Sequence, residues 1–439
     1  MKKFFTTIRN IFSIEELRTR IISTIGFLII FRLGSFVVLP GIDPELLEQN
    51  TGGLFGLLDA FLGGAFNRAS IFALGIMPYI SASIVIQLLT VAVPYFQKLQ
   101  KEGDSGRKKI TQITRVLTIA ITLGQSIPYL TTAVNAEAVI IDRTFFTVSS
   151  MILLTSGTIF CMWLGEKITE KGIGNGISML IMIGIIAQFP DSIIKEAFAK
   201  GMNGALLFVL EIIALFFVVM ATVLLVQAVR RIPVQYAKQV VGNKVYGGQR
   251  QYIPLKVNAS GVMPIIFAQS LMFLPGLVSG FFADTNDTAA TIVRTFGDIT
   301  SWQYNLVFAV MIILFTFFYT EITINSNQIA DDLKRNGGFV PGVKPGRPTA
   351  DYIDAVLSRI TLPGSIFLAV IAILPAFANI AGITMEFAYF YGGTSLLIMV
   401  GVILDTLQQI ESYLLMRHYE GMMKSGKVRG RSQSTAVAS

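Results

Sequence analysis

The chain has 439 residues, of which 53% are hydrophobic and 14% charged, whereas a soluble domain carries about a quarter charged residues. That shortfall excludes a surface that faces water throughout. The net charge of +8 would suit nucleic acid, but the basic residues sit between apolar runs, where they set membrane orientation and bind partners.

A hydrocarbon core about 30 Å thick takes roughly 20 apolar residues per helical span. Runs of that length recur along the chain and predict an all-α membrane protein of ten spans, at 21–40, 70–94, 112–132, 147–166, 175–190, 204–228, 258–282, 304–324, 360–380 and 387–406. The start, Met1-Lys2-Lys3, hints at a signal peptide. However, Glu15, Glu16, Arg18 and Arg20 precede the first apolar run and no small-residue cleavage site follows it. The first span is therefore expected to be retained.

Between the first two spans, residues 52–66 are apolar and carry five glycines, at 52, 53, 56, 63 and 64. The stretch is too short to span and too apolar for an exposed loop. Irregular backbone at membrane depth survives only when buried in protein or lining a watery cavity. It is either a re-entrant segment packed for stability or a mobile plug, and both point to a cavity.

In the second span Ile76, Ile80 and Ile84 recur every fourth residue and so share a helix face. Periodicity leaves them as lipid contacts, bundle packing or a channel lining. Pro78 is expected to kink or loosen the helix. Ser81, Ser83 and Gln87 should face protein or water rather than acyl chains. Further along, Cys161 is the single cysteine and His418 the single histidine, which excludes an internal disulfide and a Cys-based metal site. Glu211, Glu321 and Asp405 are isolated acids in or near spans. Such groups suggest ion coupling, but these form no cluster, and structural or interfacial roles are favoured.

Lysine and arginine set the expected topology. With the N-terminus in the cytoplasm, segments 227–257 and 325–359, both long and basic, fall on the same side as the tail. The opposite side carries only Arg68, Arg143, Lys195, Lys200 and Arg294. This alternation requires an even number of spans. No phosphate-binding Gly-x-x-x-x-Gly-Lys-Ser/Thr loop is present, so any work must come from a partner. An intramembrane enzyme finds no paired aspartates, no His-Glu-x-x-His and no histidine within a span. A secondary transporter, with broken helices binding a solute at midplane, has only the glycine-interrupted segments and Glu211 in its favour.

Seven runs in order carry a resemblance. They are residues 68–90 (RASIFALGIMPYISASIVIQLLT), 101–112 (KEGDSGRKKITQ), 163–178 (WLGEKITEKGIGNGIS), 230–238 (RRIPVQYAK), 254–264 (PLKVNASGVMP), 339–346 (FVPGVKPG) and 392–398 (GGTSLLI). With them the chain resembles the bacterial SecY family of protein-conducting channels over almost its whole length. The resemblance implies an hourglass of two pseudo-symmetric halves of five spans, residues 1–190 and 191–410, followed by a cytoplasmic tail, 411–439. It implies a waist formed by Ile76, Ile80, Ile181, Ile266 and Ile398. A short re-entrant plug helix at 52–66 would present Leu54, Phe55, Leu57, Leu58, Phe61 and Leu62. Spans two and seven would form a lateral gate with Ser81, Gln87 and Asn258 as polar members. Arg230, Arg231, Lys238, Lys244 and Lys344 would dock the ribosome or the SecA motor ATPase. Further implied partners are the SecE and SecG subunits, preprotein signal sequences and the lipid bilayer. The implied site is the bacterial cytoplasmic membrane, with no cofactor and no catalysis by this chain. Lys344 stands where the family has arginine, keeping the charge but losing the planar fork, and Asn243 stands where a second basic residue is expected.

Overall fold

The computed structural model describes residues 12–47, 53–201, 204–236, 239–241, 244–246, 250–280, 295, 298 and 300–424. In chain order the helices of the first part are α1 (Glu15–Gly34), α2 (Gly53–Leu62), α3 (Met77–Ala92), α4 (Pro94–Lys101), α5 (Asp104–Thr132), α6 (Arg143–Lys171), α7 (Gly176–Lys200) and α8 (Ala205–Gln227). Strands β1 (Val229–Tyr236), β2 (Gln239–Val241), β3 (Lys244–Tyr246) and β4 (Arg250–Lys256) follow. Then come α9 (Met263–Gly280), α10 (Trp302–Thr323), α11 (Ser326–Arg335), β5 (Gly338–Phe339), α12 (Arg347–Ile380), α13 (Met385–Ala388) and α14 (Gly393–Lys424).

Ten of these helices, α1, α3, α5–α10, α12 and α14, run sixteen residues or longer, and each overlaps one expected span. Six of the helices are long and apolar enough to cross a bilayer, and the bent pair α3/α4 adds a seventh. The polar residues inside them are largely satisfied by their own helix. Thr114, Thr118 and Thr122 each donate to the carbonyl one turn back, as do Thr316 and Thr320, so none presents a bare hydroxyl to hydrocarbon.

The second span differs from its expected form. Ser70 bridges to Val38, residues 71–76 are turns and bends, and the helix begins only at Met77. Gly75 holds a left-handed conformation, φ +50°, which no helix can run through. Pro78 therefore lies in the first turn, where its missing N–H costs nothing, and it does not kink the helix. The break comes at Val93, extended before Pro94, where α3 and α4 meet at 97°. Ile76 is the N-cap, and its carbonyl accepts from the Ile80 amide at 3.1 Å.

Three other boundaries move. The first helix starts at Glu15 and ends at Gly34, earlier than the apolar run. Residues 257–262 are turns, so Asn258 lies ahead of α9 rather than within it. The last long helix opens at Gly393 after the single turn of α13.

The two long basic segments build one unit. Strand β1 pairs antiparallel with β4 (Ile232 opposite Ile253) and with β5 (Gln235 opposite Phe339). Beneath this sheet Ile232, Val234 and Leu255 pack on Leu333 of α11 and on Ile353 and Leu357 of α12. Helix α12 has 34 residues, about 50 Å at the α-helical rise. That exceeds a hydrocarbon core of about 30 Å, so its first turns stand outside the membrane and carry the sheet.

Candidate functional site

The five expected isoleucines are brought together. Ile76 and Ile80 are 4% and 8% exposed and belong to one apolar cluster with Ile84, Phe72, Leu180 and Phe267. Ile398, 3% exposed, belongs to a second cluster with Ile265, Phe61 and Tyr391. Ile181 on α7 and Ile266 on α9 pack against both clusters, as does Met77. None of the five is an exposed hydrophobic of the lipid-facing kind, such as Ile152 or Leu206. The reading of Ile76 and Ile80 as lipid contacts is thereby removed.

Helix α2 lies against α7, inside the bundle. Phe61 joins the cluster of Ile398, while Leu58 and Leu62 join a third cluster with Phe66, Leu74 and Tyr129. The side chains of Leu54, Phe55 and Leu57 lie outside the described residues. The seat is shaped by one close approach: a Cβ on Gly184 of α7 would stand 2.1 Å from the Phe61 carbonyl oxygen. The segment then turns at Gly63 and Gly64, φ +65° and +84°, and the Gly63 carbonyl accepts from Arg32 Nη1 at 3.0 Å. Tyr129 donates to the Phe66 carbonyl at 2.8 Å.

A polar group that sequence reasoning left out sits here. Asp59 is the one charged residue in 52–66 and is 7% exposed. Its Oδ1 accepts from the Asn67 amide at 2.9 Å and its Oδ2 from Gln188 Nε2 at 2.8 Å. Gln188 also donates to the Asp59 carbonyl at 3.0 Å. The available signal was a glutamine inside a span and a lone aspartate in an apolar stretch, each of which demands a partner.

Among the expected gate residues, Gln87 and Asn258 are not joined. Gln87 accepts from the Tyr319 hydroxyl of α10, while Asn258, 6% exposed, accepts from Ser260 at 3.3 Å. Tyr319 in turn lies 5.0 Å from the ring of Phe267, which stacks on Phe315 at 5.8 Å. The seam beside the second span is thus closed by the seventh and eighth spans together. Ser81 is half-buried on α3.

Of the docking residues, Arg230 and Arg231 are exposed on β1, and Lys344 is exposed in the turn before α12. Lys238 lies outside the described residues, as does the side chain of Lys244 on β3. Glu211, the deepest isolated acid, pairs with Lys200 at 2.9 Å, and Lys200 donates to the Gly382 carbonyl at 2.8 Å. Glu196, fully buried, accepts from Thr384. Together these bonds tie the C-terminal end of α7 to α8 and to the loop before α13. Glu321 and Asp405 are exposed.

The model of the SecY family matches residues 70–407. The chain is 43% identical over 436 residues to the protein translocase subunit SecY of Streptomyces scabiei, covering 95% of this chain and 100% of that one. It is 42% identical over 435 residues to that of Vibrio cholerae, covering 95% and 96%. This chain belongs to the SecY family. As a SecY-family member it is a protein-conducting channel subunit of the translocase, a multi-pass protein of the bacterial membrane and not an enzyme. Among solved structures it is similar to one described as the structure of a protein conducting channel, with a TM-score of 0.61 at 16% identity, covering 90% of this chain and 92% of that one. It is also similar to Sec61 in the canine ribosome–channel complex from the endoplasmic reticulum, with a TM-score of 0.57 at 15% identity and the same coverage. At such identities the likeness bears on the SecY fold alone.

Proposed function

We propose that Ile76, Ile80, Ile181, Ile266 and Ile398 form the waist of a channel that passes unfolded preproteins across the bacterial cytoplasmic membrane and releases hydrophobic segments sideways into it. The observation that carries this reading is the packing of Ile181 and Ile266 against both the Ile80 cluster and the Ile398 cluster. An extended polypeptide cannot cross hydrocarbon, because its backbone polar groups would go unpaired. A wide, wet path would leak ions. An apolar constriction resolves the conflict, since empty it gates by dewetting. Filled, it presses on any passing sequence through non-directional contacts, with side chains stiff at χ1. Helix α2 and the turn after it, residues 52–66, act as the plug.

On this reading residues 1–190 and 191–410 are the two halves, ten spans in all, with the tail 411–439 and both termini cytoplasmic. The one-sided distribution of lysine and arginine supports that orientation. The lateral gate lies beside α3, with Ser81, Gln87 and Asn258 along it and Tyr319 closing it. The sheet carrying Arg230 and Arg231, with Lys238, Lys244 and Lys344 nearby, docks the ribosome or the SecA motor, which supplies ATP hydrolysis. SecE and SecG complete the membrane complex. Docking is supported by the exposure of Arg230, Arg231 and Lys344 and by the ribosome-bound state of the similar Sec61.

The test is disulfide crosslinking to a preprotein arrested in transit. A cysteine at Ile80, in a Cys161→Ser background, should capture a cysteine in the translocating segment, while one at lipid-facing Ile152 should not. Equal capture at both positions, or capture at neither, would remove the waist assignment.

A further inference from the structure

We propose that Asp59 and Gln188 form a hydrogen-bonded latch that holds the plug in its seat and lets go when water or polypeptide enters the constriction. The proposal rests on the channel reading above and names the positioning residues of its resting state.

Asp59 is a buried carboxyl group with donors of two kinds, backbone amides of the segment that follows it and a side chain of a neighbouring span. The Asn67 amide, 2.9 Å from Oδ1, belongs to the segment that follows the plug helix and can move with it. Gln188 belongs to α7. Its Nε2 reaches both Oδ2, at 2.8 Å, and the Asp59 carbonyl, at 3.0 Å. Displacing the plug therefore breaks the two Gln188 bonds and leaves the Asn67 bond intact. In a dry seat that break strands a carboxyl oxygen, a carbonyl and an amide, which is the expensive way to lose a hydrogen bond. In a wet channel water replaces each partner and the expense falls away. The apolar contacts of Leu58, Phe61 and Leu62 have no such sensitivity to direction or to a few water molecules.

The seat is built to bring these groups into register. Gly184 stands one helical turn before Gln188 on the same face of α7, and it is the residue whose missing Cβ admits the Phe61 carbonyl. Arg32 holds the other end of the segment through Gly63, and Arg68 lies 4.4 Å over the Phe36 ring. The segment is thus held at several points, and of these the Asp59–Gln188 pair is the one in which the plug helix's own charged side chain bonds to a neighbouring span.

The experiment uses the whole channel complex in planar bilayers, reading resting conductance without preprotein. Gln188→Leu should raise the resting open fraction about tenfold, as loss of a bond to a charged group implies. Gln188→Glu should also leak, because it sets two carboxylates against each other. Adding Asp59→Asn to Gln188→Glu exchanges donor and acceptor and should restore sealing, a rescue that a merely structural role would not give. Gln188→Met keeps length without a donor and serves if Gln188→Leu fails to accumulate. Parental conductance in these single variants, or no rescue by the exchange, overturns the latch. Deletion of residues 53–62 separates the two readings. A leaky deletion with tight Gln188 variants defeats the latch alone, whereas a tight deletion defeats the plug and with it the channel seal on which the latch depends.

Discussion

Tyr319 of α10 donates its hydroxyl hydrogen to Gln87 of α3, closing the seam beside the second span. The bond is polar, part-buried beside Phe267, and joins helices far apart in the chain. Interhelical bonds of this kind are worth about 0.6 kcal/mol and rarely above about 1.7 kcal/mol in membranes. Tyr319→Phe keeps the aromatic packing and removes the donor. It should favour gate opening by about 3- to 20-fold, read as improved export of a reporter whose signal sequence is weakened. Export no better than in the parent would show that the bond does not govern the gate.

The waist can be tested by polarity. Ile80→Asn and Ile398→Asn each put an amide where dewetting is needed. Each should raise ion leak through the resting channel and relax discrimination against defective signal sequences. Ile152→Asn, on the lipid side of α6, should do neither. If the waist variants behaved like Ile152→Asn, the isoleucines would be packing residues only.

The membrane part of the fold was legible because its signal is coarse. Runs of roughly 20 apolar residues broken by charges predict helices whatever the packing, and each expected span overlaps one long helix. The boundaries were not legible where backbone conformation overrides hydropathy. Residues 70–76 are apolar enough to extend α3, yet Gly75 sits in the left-handed region and stops it. Pro78 was misjudged for the same reason, since a proline kinks a helix only from its interior. The two longer strands of 227–257 were hidden by Pro233 in β1 and Pro254 in β4, since a proline within a run argues against a strand. In the site, the apolar residues followed from the family resemblance. Their polar supports, Tyr319 for Gln87 and Gln188 for Asp59, depend on contacts more than a hundred residues apart, which no local pattern encodes.

The plug seat makes a steric prediction. Gly184→Ala places a methyl group 2.1 Å from the Phe61 carbonyl oxygen, a backbone atom that cannot swing aside. Helix α2 must then move away from α7. Resting conductance should rise while the variant still inserts and assembles, because alanine favours the helix itself. A sealed Gly184→Ala channel would mean that the segment does not rest against α7 when closed.

Docking is tested by charge. Lys344 is exposed, and its carbonyl, not its ammonium, is held, accepting from Thr349 Oγ1 at 2.9 Å. Lys344→Glu should therefore leave the bundle intact and lower motor-driven translocation by weakening association at low salt, with the defect shrinking as ionic strength rises. The readouts are preprotein import into vesicles against salt concentration and the unfolding temperature in detergent. Unchanged import at low salt would remove Lys344 from the contact surface.

The outer ion cluster should matter for stability and not for conductance. Lys200 is 16% exposed and lies between Glu211 at 2.9 Å and the fully buried Glu196 at 3.5 Å. Lys200→Met leaves both carboxylates without their cation, and removing one partner of a buried pair costs about 3 kcal/mol. The unfolding temperature should fall, and Glu211→Gln added to Lys200→Met should recover part of the loss, since the stranded charge is gone. Resting conductance should stay at the parental level in both variants, because the cluster joins α7, α8 and the loop before α13 and touches none of the five isoleucines. A rise in conductance without loss of stability would instead make this cluster part of the gate.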